Sequence, residues 1–322
     1  MWYTLLIILD VFLLWSITNG ILWLISLIIG IPITTTLVTL LNYIPYLPSG
    51  FITLLSYAPN GVLIVLYFLW SPPPCESFRY AALWDKVRRE WFEFRVAGAA
   101  PMPHETRQTI YAISPHGIYA ETVSMCYTFN PLFRGVTTIA TSLLFWIPIS
   151  REFAYMSGAM PGSSTNIANQ LDAGKSIAIV PEGMRGALYI GDPMKVIRGI
   201  PGECGPRKGF IKCALSSSNY KDIVIVPIYN TGVERLYTTY HVWPWFQKLM
   251  LSKYYYPWPI FNFGWRGSFW PNPSKITAHV GKAIRLVDAD DGKKREVDAV
   301  YEEYVRELER LIIFAAASGG SD

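Results

Sequence analysis

The chain has four histidines. One of them, His116, stands where a side chain can do acid–base chemistry. It follows Ser114-Pro115 and precedes Gly117, with Glu121 five positions on. The apolar run Ile110 to Ile113 predicts a short buried strand, and Pro115 ends it because proline has no N–H for a ladder. A histidine on the turn after a strand is fixed by the strand and exposed by the turn, as a general base requires. Glu121 as acceptor for one ring nitrogen would leave the other free to take a proton. In a regular helix five residues turn through about 500°, so the pairing depends on the bend at Pro115–Gly117. The spacing serves a capped turn with a solvated glutamate equally well.

A second group follows another short apolar strand. Ser176–Pro181 leads into Glu182, Gly183, Met184, Arg185 and Gly186, setting an acid, a flexible backbone and a cation at one strand end. Ligand sites in α/β folds gather at such carboxyl ends. Arg185 suits a phosphate or carboxylate, and Glu182 suits either Arg185 or an acceptor hydroxyl. On its own this turn reads better as a structural ion pair. Arg207 and Lys208 open a predicted helix at Gly209, where free N–H groups and two cations make an anion site, although cations there oppose the helix dipole. Arg151-Glu152 and Gly232-x-Glu234 are more often structural pairs. His241 and His279 read as non-catalytic. Neither a G-x-S-x-G elbow nor a P-loop occurs, which argues against hydrolase and kinase chemistry. Cys75, Cys126, Cys204 and Cys213 are too scattered for a zinc site or a disulfide framework.

The elements that must hold these groups alternate in an α/β manner. Strands are predicted at Thr109–Ser114, Val136–Ala140, Ser176–Pro181, Ile223–Tyr229 and Ile276–Val280. Helices are predicted at Leu83–Val96, Ser164–Ala173, Gly209–Ser216 and Arg295–Ile313, the last with one continuous apolar face. Residues 315–322 predict a disordered tail. Between Tyr240 and Trp270, thirteen of 31 residues are aromatic; such an insertion suits a bilayer interface or a lipid path, and equally a covered satellite core.

Charge divides the chain in two. Residues 1–78 hold no Lys or Arg and only two acids, Asp10 and Glu76. Thr4 to Leu41 and Phe51 to Trp70 are almost wholly apolar. The first run is too long for one 30 Å crossing, so breaks are expected at Asn19-Gly20 and Pro32. Together the runs predict a membrane hairpin over 1–78, two passes or one pass with a re-entrant piece. A soluble-looking, mildly basic domain follows at 79–314. Arg79, Lys86, Arg88, Arg89 and Arg95 just after the second run place that domain on the cytosolic side. The excess charge is too small and scattered for nucleic acid; it suits an anionic membrane or cofactor.

The stretches S-P-H-G (114–117), F-W-I-P-I-S-R-E-F-A-Y-M-S-G (145–158), R-K-G-F-I-K-C-A-L (207–215), V-P-I-Y-N-T-G-V-E (226–234) and I-T-A-H-V-G-K-A-I (276–284), in this order and spacing, resemble the diacylglycerol acyltransferase type 2 family of the glycerolipid acyltransferase superfamily. The resemblance covers 79–314. It implies a mixed α/β sheet flanked by helices after an N-terminal transmembrane hairpin. It also implies a cytosol-facing enzyme of the endoplasmic reticulum and lipid droplets that moves a fatty acyl group from coenzyme A to a lipid alcohol. His116 would be the general base, oriented by Glu121 or alternatively Glu152. Glu182, Gly183 and Arg185, with Arg151 and Glu152, would hold acceptor or oxyanion. Arg207 and Lys208 would meet the phosphates of acyl-CoA, a co-substrate, with no metal and no other cofactor. Membrane lipid and a lipid alcohol are the implied partners.

This sequence departs from the family pattern in two places. Ser114 stands where the family carries a first histidine, and Gly186 where it carries an acid. P-E-G-M-R at 181–185 is similar to the P-E-G-T-R block of lysophospholipid acyltransferases, and His116 with Glu121 imitates their histidine–four residues–aspartate. The acceptor is therefore diacylglycerol first, with monoacylglycerol, a long-chain alcohol or a lysophospholipid as alternatives. A non-catalytic lipid-binding scaffold and a hydrolase using Ser114 are the rivals from other classes.

Overall fold

A computed structural model of the chain describes residues 67, 69–97, 107–147, 150–241, 243–254, 260–268, 270–288 and 290–318. The membrane hairpin expected within 1–78 lies almost wholly outside them. Among the described residues no helix is long and apolar enough to cross a membrane. The chain divides into two compact units: Met1–Pro74 with Phe145–Tyr155, and Cys75–Leu144 with Met156–Asp322.

The larger unit is built on a mixed sheet of eight strands: β1 (Arg95–Ala97), β2 (Gln108–Ser114), β3 (Val136–Ala140), β4 (Met160–Pro161), β5 (Ser176–Ile179), β6 (Ile223–Thr231), β9 (Thr277–Val280) and β10 (Ile284–Arg285). A separate two-stranded sheet pairs β7 (Thr238–His241) with β8 (Ile260–Phe263). The main sheet runs β1-β9-β6-β2-β5-β3-β4, and β10 pairs with β6. β2 is central and parallel to both neighbours, with Ala112 opposite Ile179 on β5 and Ser114 opposite Tyr229 on β6. β9 and β10 run antiparallel to β6.

Helices α1 (Ala82–Lys86), α3 (Ser164–Asp172), α4 (Pro193–Arg198), α5 (Gly209–Ser216), α6 (Pro244–Tyr254) and α7 (Val297–Ser318) surround the sheets. Helix α2 (Ser150–Met156) lies almost entirely in the smaller unit. A central parallel strand is covered on both faces, which is why β2 reads as an unbroken apolar run. Ile110 and Ala112 join the core made with α5 and α7 through Phe210, Ile211, Tyr304 and Leu308. On the opposite face Tyr111 meets Phe133 edge to face at 5.2 Å.

The punctuated elements form as predicted. Val136–Ala140 and Gly209–Ser216 match to the residue, and Ser163 caps α3 by accepting from the Asn166 N–H at 3.1 Å. The apolar face of the last helix holds, but α7 runs on to Ser318. Ala315 is buried, so 315–318, expected as disordered tail, extends the helix. The helix predicted over Leu83–Val96 is corrected. It continues past Lys86 as wide π turns and stops at Trp91. Glu93 takes a positive φ of 37°, and Arg95–Ala97 pairs with Thr277–His279. The edge of β9 offers backbone partners that a helix could not use. Trp84, Val87 and Trp91 are buried, so packing against the domain accounts for their helical spacing.

Candidate active site

Three adjacent parallel strands, β5, β2 and β6, end at the same edge of the sheet. The turn after β2 carries His116, and the turn after β5 carries Glu182, Gly183 and Arg185. Residue Asn230 on β6 donates from Nδ2 to the Pro115 carbonyl at 3.2 Å, and the Tyr127 hydroxyl donates to Asn230 Oδ1. The bend before His116, which includes a cis Ser114–Pro115 bond, is thereby tied to the neighbouring strand.

The His116 ring is 4% exposed. Its Nε2 lies 2.9 Å from the Gly183 carbonyl oxygen. A carbonyl only accepts, so Nε2 carries the hydrogen and Nδ1 keeps a lone pair. Nδ1 is enclosed and has no hydrogen-bond partner. Burial lowers the His116 pKa, partly offset by the carbonyls of Gly183, Gly117 and His116 itself, so the ring is neutral at neutral pH, the form a base must have.

Glu182 is fully buried. The Ser114 hydroxyl donates to its Oε1 at 3.1 Å, while Oε2 has no partner. Burial pushes its pKa up to about 7; its own backbone N–H, Ser114, the Arg207 charge and the His116 backbone N–H act against that. Gly186 packs against both the Glu182 side chain and the His116 ring. A Cβ on Gly186 would fall well inside contact distance of Glu182 Cγ and 3.1 Å from His116 Nε2. The glycine that departs from the family pattern is thus the space in which acid and imidazole share a wall. Gly183 has φ +56°, and a Cβ there would sit 3.2 Å from Arg207 Nη2.

The sequence residues assigned to this site divide into those brought together and those not. His116, Glu182, Gly183 and Arg207 converge, with Arg207 Nε donating to the Pro181 carbonyl at 2.8 Å. Glu121 does not reach the imidazole, since Nδ1 is unpartnered and Nε2 faces Gly183. Its Oε1 accepts from the Tyr237 hydroxyl at 2.9 Å, and its enclosed Oε2 has no partner. Burial raises its pKa to about 7 against its own backbone N–H and Tyr237. Arg185 stands part-exposed on the turn, in no salt bridge among the described residues, though its charge lowers the Glu203 pKa. Lys208 pairs with Asp298 at 2.8 Å and lies over the Tyr301 ring. Because Asp298 is largely exposed, that pair is weak and open to exchange. Arg151 and Glu152 pair at 3.0 Å inside the smaller unit, where Arg151 also donates to the Trp70 carbonyl. Among the described residues no group of acids, cysteines and histidines is arranged to hold a metal.

Next to this cluster is a cleft of about 320 Å³ lined by Ala187–Gly191, Glu234, Tyr237, Thr239 and His241. It starts one residue beyond Gly186, and Tyr237 joins it to Glu121. Ser114, Gly186 and Tyr237 touch Glu182, His116 and Glu121, contacts that sequence spacing did not show. Only the parallel register of β2 and β5 reveals the first two.

A family model described as Diacylglycerol acyltransferase matches residues 55–314. A relative named Diacylglycerol O-acyltransferase 2-like protein 6, from Mus musculus, is 26% identical over 220 residues, covering 61% of this chain and 63% of the relative. The Homo sapiens protein of that name is 27% identical over 225 residues, covering 63% and 64%. The matches thus span less than two thirds of the relatives' length. A solved structure, the 1-acyl-sn-glycerophosphate (LPA) acyltransferase PlsC from Thermotoga maritima, is similar over 78% of this chain and 89% of its own at 13% identity; its TM-score of 0.38 is too low to argue from. The family match runs through both strand-end turns and on into the last helix, and on that ground the chain belongs to the diacylglycerol acyltransferase family.

Proposed function

We propose that this chain is an acyl-CoA-dependent O-acyltransferase that moves a fatty acyl group to a neutral lipid alcohol, diacylglycerol foremost, giving triacylglycerol. The observation that carries the reading is the His116 ring, neutral, tethered by Nε2–H to the Gly183 carbonyl, with Nδ1 unpartnered. In this reading Nδ1 takes the proton of the acceptor hydroxyl as its oxygen attacks the thioester carbonyl. The C–S bond of the tetrahedral intermediate then breaks, and the departing coenzyme A sulfur takes the proton back from the imidazolium. Ionised Glu182 beside the ring stabilises the imidazolium. Glu121 acts on the wall of the cleft through Tyr237. Arg207, at the Gly183 turn, is placed for the oxyanion or a coenzyme A phosphate, and Lys208 for a phosphate farther out.

A lysophospholipid acceptor is the second reading, favoured by Arg185, which is in no salt bridge among the described residues and so suits an acceptor phosphate. Arg151 and Glu152, paired to each other, enter as substrate-holding residues on the family resemblance alone. Residues 1–78, apolar and without Lys or Arg, and the basic residues after them support a membrane-anchored enzyme of the endoplasmic reticulum, its catalytic domain cytosolic, with access to lipid droplets. The test is to give purified full-length protein labelled acyl-CoA and a panel of lipid alcohols and to identify the product. Triacylglycerol from diacylglycerol supports the first reading. Phosphatidate as the main product favours the second, and no ester from any alcohol refutes both.

A further inference from the structure

The backbone ladder between β2 and β6 ends at Ser114 opposite Tyr229. One step further, Pro115 has no N–H to donate, and the Asn230 side chain takes over from the ladder. Asn230 is 1% exposed, at the end of a strand whose Ile223–Ile228 stretch is apolar. Its Nδ2 donates to the Pro115 carbonyl at 3.2 Å, and its Oδ1 accepts from the Tyr127 hydroxyl. Alternation along β6 puts it on the face away from Tyr229, Thr231 and, on β9, His279, which Thr231 contacts.

The two bonds fix each other's direction. A carbonyl only accepts, so the amide must turn its NH2 group to Pro115; its oxygen then faces Tyr127, whose hydroxyl must donate. Burial holds the Tyr127 pKa well above its ordinary value, so the donor keeps its proton. The Tyr127 ring is buried on the wide helical turn Val123–Thr128 and meets Phe94 and Phe133 edge to face at 5.7 and 5.0 Å, which fixes where the hydroxyl starts from. The Pro115 carbonyl lies in the same rigid peptide plane as the nitrogen and Cα of His116. His116 is therefore held at two ends, its backbone through Asn230 and its ring through the 2.9 Å contact of Nε2 with the Gly183 carbonyl.

We propose that Tyr127 and Asn230 are positioning residues that aim the His116 ring by gripping the peptide bond before it. The inference rests on His116 as the base of acyl transfer. Its test is the rate of ester formation from labelled acyl-CoA by purified full-length wild type, Asn230→Asp and Tyr127→Phe, on the acceptor that wild type uses best, across the pH range around 7. Protonated, the new carboxyl in Asn230→Asp copies the amide, donating to Pro115 and accepting from Tyr127. Ionised, it sets an oxygen without a hydrogen against the Pro115 carbonyl oxygen. The ratio of variant to wild-type kcat should therefore fall by about 10-fold or more as pH rises, with KM for acyl-CoA within a few-fold of wild type. Taking the ratio cancels the pH limb that Glu182 gives to both. Tyr127→Phe keeps the ring packing and removes the donor. Its kcat should fall by roughly 10-fold at every pH with KM again unmoved, and it carries the test if Asn230→Asp fails to fold. A ratio that stays level with pH, or wild-type kcat in Tyr127→Phe, overturns the proposal. A loss confined to melting temperature does the same, since the two residues would then only stabilise the fold. No ester from wild type on any alcohol would refute the base reading and the inference with it.

Discussion

Two turns at one edge of the sheet each hold a carboxyl raised to about 7, and each carboxyl has one enclosed oxygen without a partner. The turn after β5 brings Glu182 to the wall it shares with the imidazole, with the Gly183 carbonyl on Nε2. The turn after β2 sends Glu121, only five positions from His116, away to the Tyr237 hydroxyl. Nearness in sequence pointed to Glu121; the parallel pairing of β5 with β2 instead brings Glu182 to Ser114, on the strand that leads to His116. A raised pKa is shared by both carboxyls and so does not by itself separate a reacting group from a supporting one.

The contrast can be broken or sharpened by substitution. His116→Ala removes the group that both turns were candidates to serve. It should cut acyl transfer by about 10²–10⁴-fold, with normal membrane insertion and melting. Gly186→Ala leaves every polar group in place but pushes a methyl between ring and acid. A displacement on the order of 1 Å in a site costs about 10²-fold, so turnover should fall nearly as far. Activity near wild type would show that Glu182 and His116 need not adjoin.

The two acids then separate. The proposed mechanism uses ionised Glu182, so it predicts that wild-type kcat/KM rises as pH increases through about 7 and is lost as pH falls below it. Glu182→Gln should lower the plateau by about 10-fold or more and remove that limb. Glu121→Gln keeps an acceptor for Tyr237, so turnover should stay within a few-fold of wild type. Its effect is on stability. A carboxyl whose folded pKa exceeds its unfolded value binds more protons folded than unfolded, so stability falls as pH rises between about 4.5 and about 7. Removing the ionisable proton should recover on the order of 2–3 kcal/mol above that window. Melting curves of wild type and Glu121→Gln at either end of it check the sign. Equal turnover losses in the two glutamine variants would erase the distinction. The smallest effect is expected from Arg185→Ala, with little change on diacylglycerol and a raised KM confined to a phosphorylated acceptor.

Much of the frame was legible from residues alone, because local rules set it. β3 and α5 were bounded by the residues that end them, and the buried β2 read as an apolar run. The legible part of the site was His116 at a strand end and Glu182-Gly183 at another. What escaped was non-local. Arg95–Ala97 is drawn out of a helical pattern by the free edge of β9. Ser114 and Gly186 acquire their roles only when β5 is laid beside β2. The aromatic stretch 240–270 gave no sign of the β7–β8 pairing, since the two strands are separated by α6.

The most direct test is the initial rate of ester formation from labelled acyl-CoA and diacylglycerol by purified wild type and Glu182→Gln across the pH range around 7. The account predicts a wild-type rate that climbs with pH through about 7 and a lower, flat profile for the variant. A variant profile that climbs as the wild type does, at a similar rate, would contradict it.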